Sequence, residues 1–247
     1  MIRLLDVSSC QGVIDWSKVP AEYRGVVVKA SEGLTGQDPT RLRNAEAAHA
    51  NGRVVSFYHF LRPSLEPLGQ IANLWKAIGD TMPDFRPALD LESAPDAMTP
   101  DQLAAWFLAA ADEAEAYFGV PPLVYTYPWF YNSRIAKAAG MTAELGARIK
   151  RCPLWMADYA HGETPAEGSH PFTPLPWDTW TLWQTSGDKS TRVPGIGGAV
   201  DHDVYNGDEA SLARFRGLPT ADQLEPDAPI IHTHDYASED DPPFDPT

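Results

Sequence analysis

The sequence predicts an α/β fold, a barrel of parallel strands whose regularity fades in its second half. Short apolar runs of strand length recur along residues 1–216, each bounded by polar or Gly/Pro turns. Between the first five lie segments of helical periodicity, and parallel strands need crossover helices of that kind. A length of 247 residues is ordinary for a single barrel. With 43% hydrophobic residues, and 8 Trp, 9 Tyr and 9 Phe, a sizeable core is available, which excludes a chain disordered throughout.

The first strand is expected over residues 4–7 and the second over 25–30. A helix over 41–51 follows, closed by Gly52, and then a strand over 54–60. The helix over 68–78 is closed by Gly79 and leads to a strand over 87–91. The longest helix, 101–118, has Thr99 as cap, Pro100 in its first turn and Gly119 as its stop. Strands over 123–127, 154–158, 181–184 and 199–204 complete the pattern, with less helix between the last three.

Net charge is −15, which repels phosphate backbones and gives no general attraction to nucleic acid or anionic lipid. No apolar run approaches the roughly 18 residues that span a membrane, and Met1 leads straight into a strand rather than a signal peptide. The expectation is a chain made in the cytoplasm, with neither a nucleic-acid partner nor membrane insertion. Cys10 and Cys152 form no CxxC pair and no disulfide framework, and read as two free thiols. Eight of the 34 acidic residues and six prolines fall in 217–247, with no Lys or Arg, so this stretch is expected to be a disordered acidic tail after a domain of residues 1–216. His232 and His234 within it read as solvated linker rather than metal ligands.

On a barrel, chemistry sits at the carboxyl ends of the strands. Asp6 ends the first strand, Asp90 and Glu92 the fourth, and Asp201 sits on the last. Residues two apart on a strand share a face with Cα atoms roughly 6.6 Å apart, so Asp90 and Glu92 are expected to point into one cavity. Such crowding with desolvation raises the pKa of at least one carboxyl, as a general acid near neutral pH requires. Aromatic residues recur at strand ends: Tyr58; Tyr125, Tyr127 and Trp129; Trp155 and Tyr159; Trp177, Trp180 and Trp183. Their faces suit pyranose rings and their polar tips suit hydroxyls, although any one of them also serves as core packing. There is no G-x-S-x-G elbow, no H-E-x-x-H helix and no P-loop, so other hydrolytic chemistries and metal catalysis rank low. His59 and His202 stand beside candidate residues and read as structural histidines.

Seven motifs occur in order: Asp6 to Trp16 (DVSSCQGVIDW), Val28 to Gly33 (VKASEG), Tyr58-His59-Phe60, Ala88 to Glu92 (ALDLE), Leu154 to Tyr159 (LWMADY), Leu182-Trp183-Gln184 and Val200-Asp201. Together they resemble the glycoside hydrolase family 25 muramidases, the Chalaropsis-type lysozymes of many phage endolysins and bacterial autolysins. The resemblance covers roughly residues 1–210 and implies an irregular TIM-like β/α barrel with fewer helices than a full (β/α)8 barrel.

It also implies hydrolysis of the β-1,4 bond between N-acetylmuramic acid and N-acetylglucosamine in bacterial peptidoglycan. The expectation is a monomer that uses no cofactor. Glu92 would be the general acid. Asp90 would be the second carboxylate, which attacks or steadies the anomeric centre or orients the substrate's acetamido group. Asp6 and Asp201 would hold water or substrate and keep Glu92 protonated. Tyr58, Tyr125, Trp155 and Gln184 would line the subsites, with Asp158 among the substrate-binding residues and Lys29 and Glu32 at the rim or beneath it.

The resemblance further implies a phage lysin that waits in the host cytoplasm for a holin-type pore to open the way to the wall. Three departures stand out: Cys10 in place of a bulky residue, Ser31 where threonine is usual, and Asp203 where asparagine is commoner. The competing reading is a catalytically weak peptidoglycan-binding module of a virion or wall complex, against which four converging carboxylates speak. A chitinase is disfavoured because Phe85 and Ala88 occupy the first two acidic positions of D-x-x-D-x-D-x-E.

Overall fold

A computed structural model describes residues 1–138, 142–187 and 192–215. The acidic tail and its two histidines lie outside these described residues. Eight strands close into a barrel: β1 (Ile2–Val7), β2 (Tyr23–Glu32), β4 (Val54–Phe60), β5 (Ala88–Asp90), β6 (Leu123–Thr126), β7 (Leu154–Ala157), β8 (Leu182–Ser186) and β9 (Asp201–Tyr205). The two-residue β3 (Gly36–Gln37) only adds an antiparallel edge to the end of β2.

Neighbours from β1 through β8 run parallel, and β9 lies antiparallel between β8 and β1. Parallel strands are covered on both faces, which explains the apolar runs in place of alternation. Helices α1 (Arg41–Ala50), α2 (Pro67–Ile78) and α3 (Pro100–Phe118) follow β2/β3, β4 and β5, close to the spans expected. The chain makes α3 a firm element: Thr99 and Gln102 form a capping box, Pro100 occupies the first turn, and Gly119 closes the helix in the left-handed region at φ 70°. After β6 come a short α4 (Pro128–Phe130) continuing into a π-helical turn (Tyr131–Ile135), and then α5 (Ala143–Lys150). Among the described residues no α-helix intervenes between β7 and β8, where there is only a 3-10 turn (Tyr159–His161), or between β8 and β9, so the fading alternation is real.

Two cores result. The larger fills the space between strands and helices, with Leu5, Val26, Val28, Phe57, Ile71, Leu74, Leu103, Phe107 and Trp183 among its members. The smaller fills the barrel itself: Ile2, Leu4, Val27, Val54, Ala88, Leu123, Tyr125, Trp155, Leu182 and Tyr205. Gly25 belongs to this inner layer because a Cβ there would lie 2.7 Å from Val54 Cγ2 and 3.0 Å from Leu4 Cδ2. The amino-terminal floor is plugged by α6 (Glu209–Phe215), where Phe215 meets Phe85 and Tyr205 at ring centroids 6.0 and 5.6 Å apart. With the floor apolar and closed, polar inward positions are left at the opposite end.

Candidate active site

That opposite end is the barrel mouth, and the strand alternation delivers acids to it. Leu4 faces inward at mid-barrel, so Asp6 faces inward two residues later. On β5 the same step takes Ala88 to Asp90. The ladder continues past the strand, since Leu61 N donates to Asp90 O and Leu91 N to Tyr125 O at 2.9 Å, so Glu92 keeps the inward face. Because β9 is antiparallel, its amino end reaches the mouth, and Asp6 is paired in register with Asp201. Asp201 therefore joins the others from the start of its strand rather than from a carboxyl end. Two residues on, Asp203 shares its face.

These carboxyls differ in exposure and hence in proton affinity. Asp90 is buried at 7% exposure and its Oδ1 has no hydrogen-bond partner. Burial first, and the nearby Glu92 charge second, push it well above the usual carboxylate range, against a smaller opposing pull from Lys29. Glu92 is half-buried and nearer solvent. A proton bound at this end belongs to the pair, and Glu92 is its more exposed member. Asp6 is likewise raised, by burial and then by the charge of Asp203.

Asp203 is the residue that sequence reasoning noted but gave no role. It is buried at 1% exposure and its Oδ1 accepts from Trp155 Nε1 at 2.8 Å. Its Oδ2 has no N–H or hydroxyl partner; the group facing it is Asp6, and the two carboxyls raise the cost of ionising both. Burial pushes Asp203 up to about 8, even with the Asp6 and Trp155 hydrogen bonds pulling it down. The signal was present in the sequence: Asp201 and Asp203 stand two apart on one strand, as Asp90 and Glu92 do.

Gln184 ties the base of the mouth together. Its Nε2 donates to Asp6 Oδ2 at 2.8 Å and, at 3.5 Å, reaches Asp201 Oδ2. Its Oε1 accepts from Tyr125 OH at 3.0 Å and from Tyr159 OH at 2.6 Å. With both ends of the amide engaged, Gln184 sets the carboxylates and tyrosines rather than reaching into the mouth. Tyr58 is half-buried and feels the charges of Asp6, Asp90 and Asp201, which after burial raise its phenol well above the usual value. Burial raises Tyr125 similarly, with Asp90 the next cause.

Three expected binding residues sit differently. Trp155 is 2% exposed, edge-on to Tyr125 with centroids 4.8 Å apart, and its indole N–H is spent on Asp203; it is wall and support, not a stacking face. Asp158 caps a 3-10 turn: Oδ1 accepts from Ala160 N at 3.1 Å and Oδ2 from Phe172 N at 2.8 Å, so it shapes the loop after β7. Glu32 binds Lys29 at 2.7 Å and also takes Arg62, so it neutralises cations at the edge of the mouth. Lys29 remains near enough to Asp90 to favour its ionised form.

The histidines are structural as read. His59 is fully buried beside Ser31 Oγ at 2.7 Å and is lowered by burial to about 4, hence neutral at pH 7. His202 faces outward to Tyr23 OH at 3.1 Å and Arg3. Cys10 and Cys152 are both free thiols, and burial pushes Cys152 up to about 12. A recess of about 630 Å³ lies elsewhere, against the outside of β1 and β9, lined by Arg3, Glu163, His170 and Trp180. None of the mouth carboxylates lines it, so chemistry rather than volume locates the site.

A barrel with a closed apolar floor and five inward acids at its mouth matches one family model, described as glycosyl hydrolases family 25, over residues 5–196. The chain belongs to glycosyl hydrolase family 25. It is therefore a glycoside hydrolase. Lysozyme M1 of Streptomyces globisporus is 28% identical over 224 residues, covering 85% of this chain and 70% of that one. An N,O-diacetylmuramidase of Arthroderma benhamiae is 29% identical over 230 residues, covering 87% and 86%. The crystal structure of a bacterial lysozyme from Streptomyces coelicolor superimposes with a TM-score of 0.71 at 25% identity, covering 87% of this chain and 96% of that one. The irregular barrel expected from the seven motifs is thus the family 25 barrel.

Proposed function

We propose that this family 25 chain is an N-acetylmuramidase that hydrolyses the β-1,4 bond between N-acetylmuramic acid and N-acetylglucosamine in peptidoglycan. The observation that carries the reading is geometric: Asp90 and Glu92 stand two residues apart on one inward face of the mouth, Asp90 buried and Glu92 half-exposed, so that a proton retained by the crowded pair is within reach of a ligand at Glu92. Glu92 donates its proton to the glycosidic oxygen as the bond to the anomeric carbon breaks. Asp90 supplies the second carboxylate beside the positive charge that develops there. Water adds its oxygen to the anomeric carbon and its proton returns to the carboxyl pair, so the balance closes. Asp6, Asp201, Asp203 and Gln184 form the polar base of the mouth beneath, and Tyr58 and Tyr125 line the wall. The names of the lysozyme and muramidase relatives support the substrate class.

A phage lysin, made in the host cytoplasm and reaching the wall through a holin-type pore, is the biological setting proposed, on the strength of the motifs shared with such enzymes. Action as a monomer on peptidoglycan is part of the same reading. No helix among the described residues is long and apolar enough to cross a membrane. The test is digestion of purified peptidoglycan with analysis of the new reducing ends. N-acetylmuramic acid at those ends is expected. N-acetylglucosamine there would mean a glucosaminidase, and intact strands would end the proposal.

A further inference from the structure

Past Tyr125, the chain leaving β6 carries Tyr127, Pro128 and Trp129 to the rim of the mouth and leaves a large aromatic surface bare. Trp129 is 67% exposed. Its ring lies nearly parallel to that of Tyr127, with 13° between planes and centroids 6.3 Å apart. Tyr127 in turn packs against the barrel-interior cluster that contains Tyr125 and Trp155. The Glu92 carboxylate is near enough to disfavour ionisation of the Tyr127 phenol, as a cause second to burial. An aromatic track therefore runs from the barrel wall through Tyr127 to Trp129.

The track is also fixed relative to the acid. Behind it lies the π-helical turn Tyr131–Ile135, a widened turn of the kind often found at functional sites. From that turn Arg134 donates to Pro95 O at 2.7 Å, Met98 O at 2.9 Å and Ala94 O at 3.4 Å, all in the loop that leaves Glu92. Ser133 Oγ donates to the carbonyl of Trp129 itself. Trp129 thus stands at a set position beside the catalytic strand end, its outer face offered to solvent.

The geometry points to the Tyr127–Trp129 stack as a further glycan subsite, in which the exposed face of Trp129 takes the apolar face of one pyranose beyond the two sugars flanking the scissile bond. This rests on reading the mouth as a glycan-cleaving site. It predicts that strand length matters: a long glycan engages Trp129, and a disaccharide at the mouth does not. An aromatic contact of this kind is worth up to about tenfold in affinity.

The experiment uses Glu92→Gln, which holds strands without cutting them, titrated with peptide-free peptidoglycan glycan of about eight sugars and with a disaccharide. Adding Trp129→Ala is expected to raise the Kd for the long strand roughly three- to tenfold, leave the disaccharide unchanged, and be partly rescued by Trp129→Phe. In the active chain the loss falls on KM rather than kcat. Unchanged long-strand affinity, or an equal loss for the disaccharide, overturns the subsite. If the wild type cuts no peptidoglycan and yet the length-dependent loss appears, the hydrolytic reading fails and the subsite stands. If the wild type cuts and Trp129→Ala binds long strands normally, the subsite alone fails. No binding of glycan by Glu92→Gln overturns both.

Discussion

At the scale of single residues, the mouth is a set of carboxyls sorted by burial. Asp203 and Asp6 lie at the base of the mouth, face each other and cannot both ionise cheaply. Asp203 is pushed up to about 8 in the fold, against about 3.9 for a solvated Asp. Asp203 therefore holds a proton in the folded chain that it has lost in the unfolded one between about pH 4 and pH 8. Its contribution to stability is fully present below pH 4 and is lost as pH rises through 8. Asp203→Asn removes that slope, keeps an acceptor for Trp155 Nε1 and offers Asp6 an N–H. Thermal unfolding at pH 8 is expected to show the variant at least about 1 kcal/mol more stable, or some 2–4 °C, with the gain shrinking towards pH 4. Equal melting temperatures across that range would contradict this account. The acids at positions 6, 90, 92 and 201 were legible from spacing and motif. What Trp155 and Asp158 do was not, because hydrogen-bond partners 48 and 14 residues away in sequence decide it.

At the scale of elements, the strands and the first three helices were readable because each carries its own punctuation, such as the Thr99 cap and the Gly119 stop of α3. Thr99→Ala is expected to cost about 1 kcal/mol of stability in denaturant unfolding, with turnover unaffected. The reversal of β9 was not readable, since a five-residue strand carries no mark of its direction in its own residues. Two-residue β3 and eight-residue α5, which buries only Gly146 and Ile149, give too little periodicity to read. Arg134 belongs at this scale too, since one guanidinium joins the π-helical turn to the loop after Glu92. Arg134→Gln is expected to lower kcat several-fold by loosening the placement of Glu92, while the pH optimum stays in place. A shifted pH profile would instead show that Arg134 acts through its charge.

For the whole molecule, the closed barrel with α6 as its plug separates stability from chemistry. Leu212, 3% exposed in that plug, is far from the acids; Leu212→Ala is expected to cost about 2–4 kcal/mol while kcat at 25 °C stays near wild type. The barrel and its mouth were visible in the sequence, whereas the plug was not, because an apolar pair in a short helix has no partner until the barrel closes. A net charge of −15 opposes approach to an anionic wall. Raising ionic strength to about 0.15 M shortens the screening length to about 8 Å, so lysis of intact walls is expected to accelerate with salt over that range. A fall in rate would show that a local basic surface, not the net field, governs the encounter.

The central claim is that Glu92, beside the buried Asp90, delivers the proton that breaks the glycan. Its most direct test is purified peptidoglycan incubated with wild type and with Glu92→Gln, followed by mass and reducing-end analysis and by sedimentation with the wall. Muropeptides ending in N-acetylmuramic acid from the wild type alone, with both proteins sedimenting equally, are the predicted result. Equal digestion by the two would contradict it.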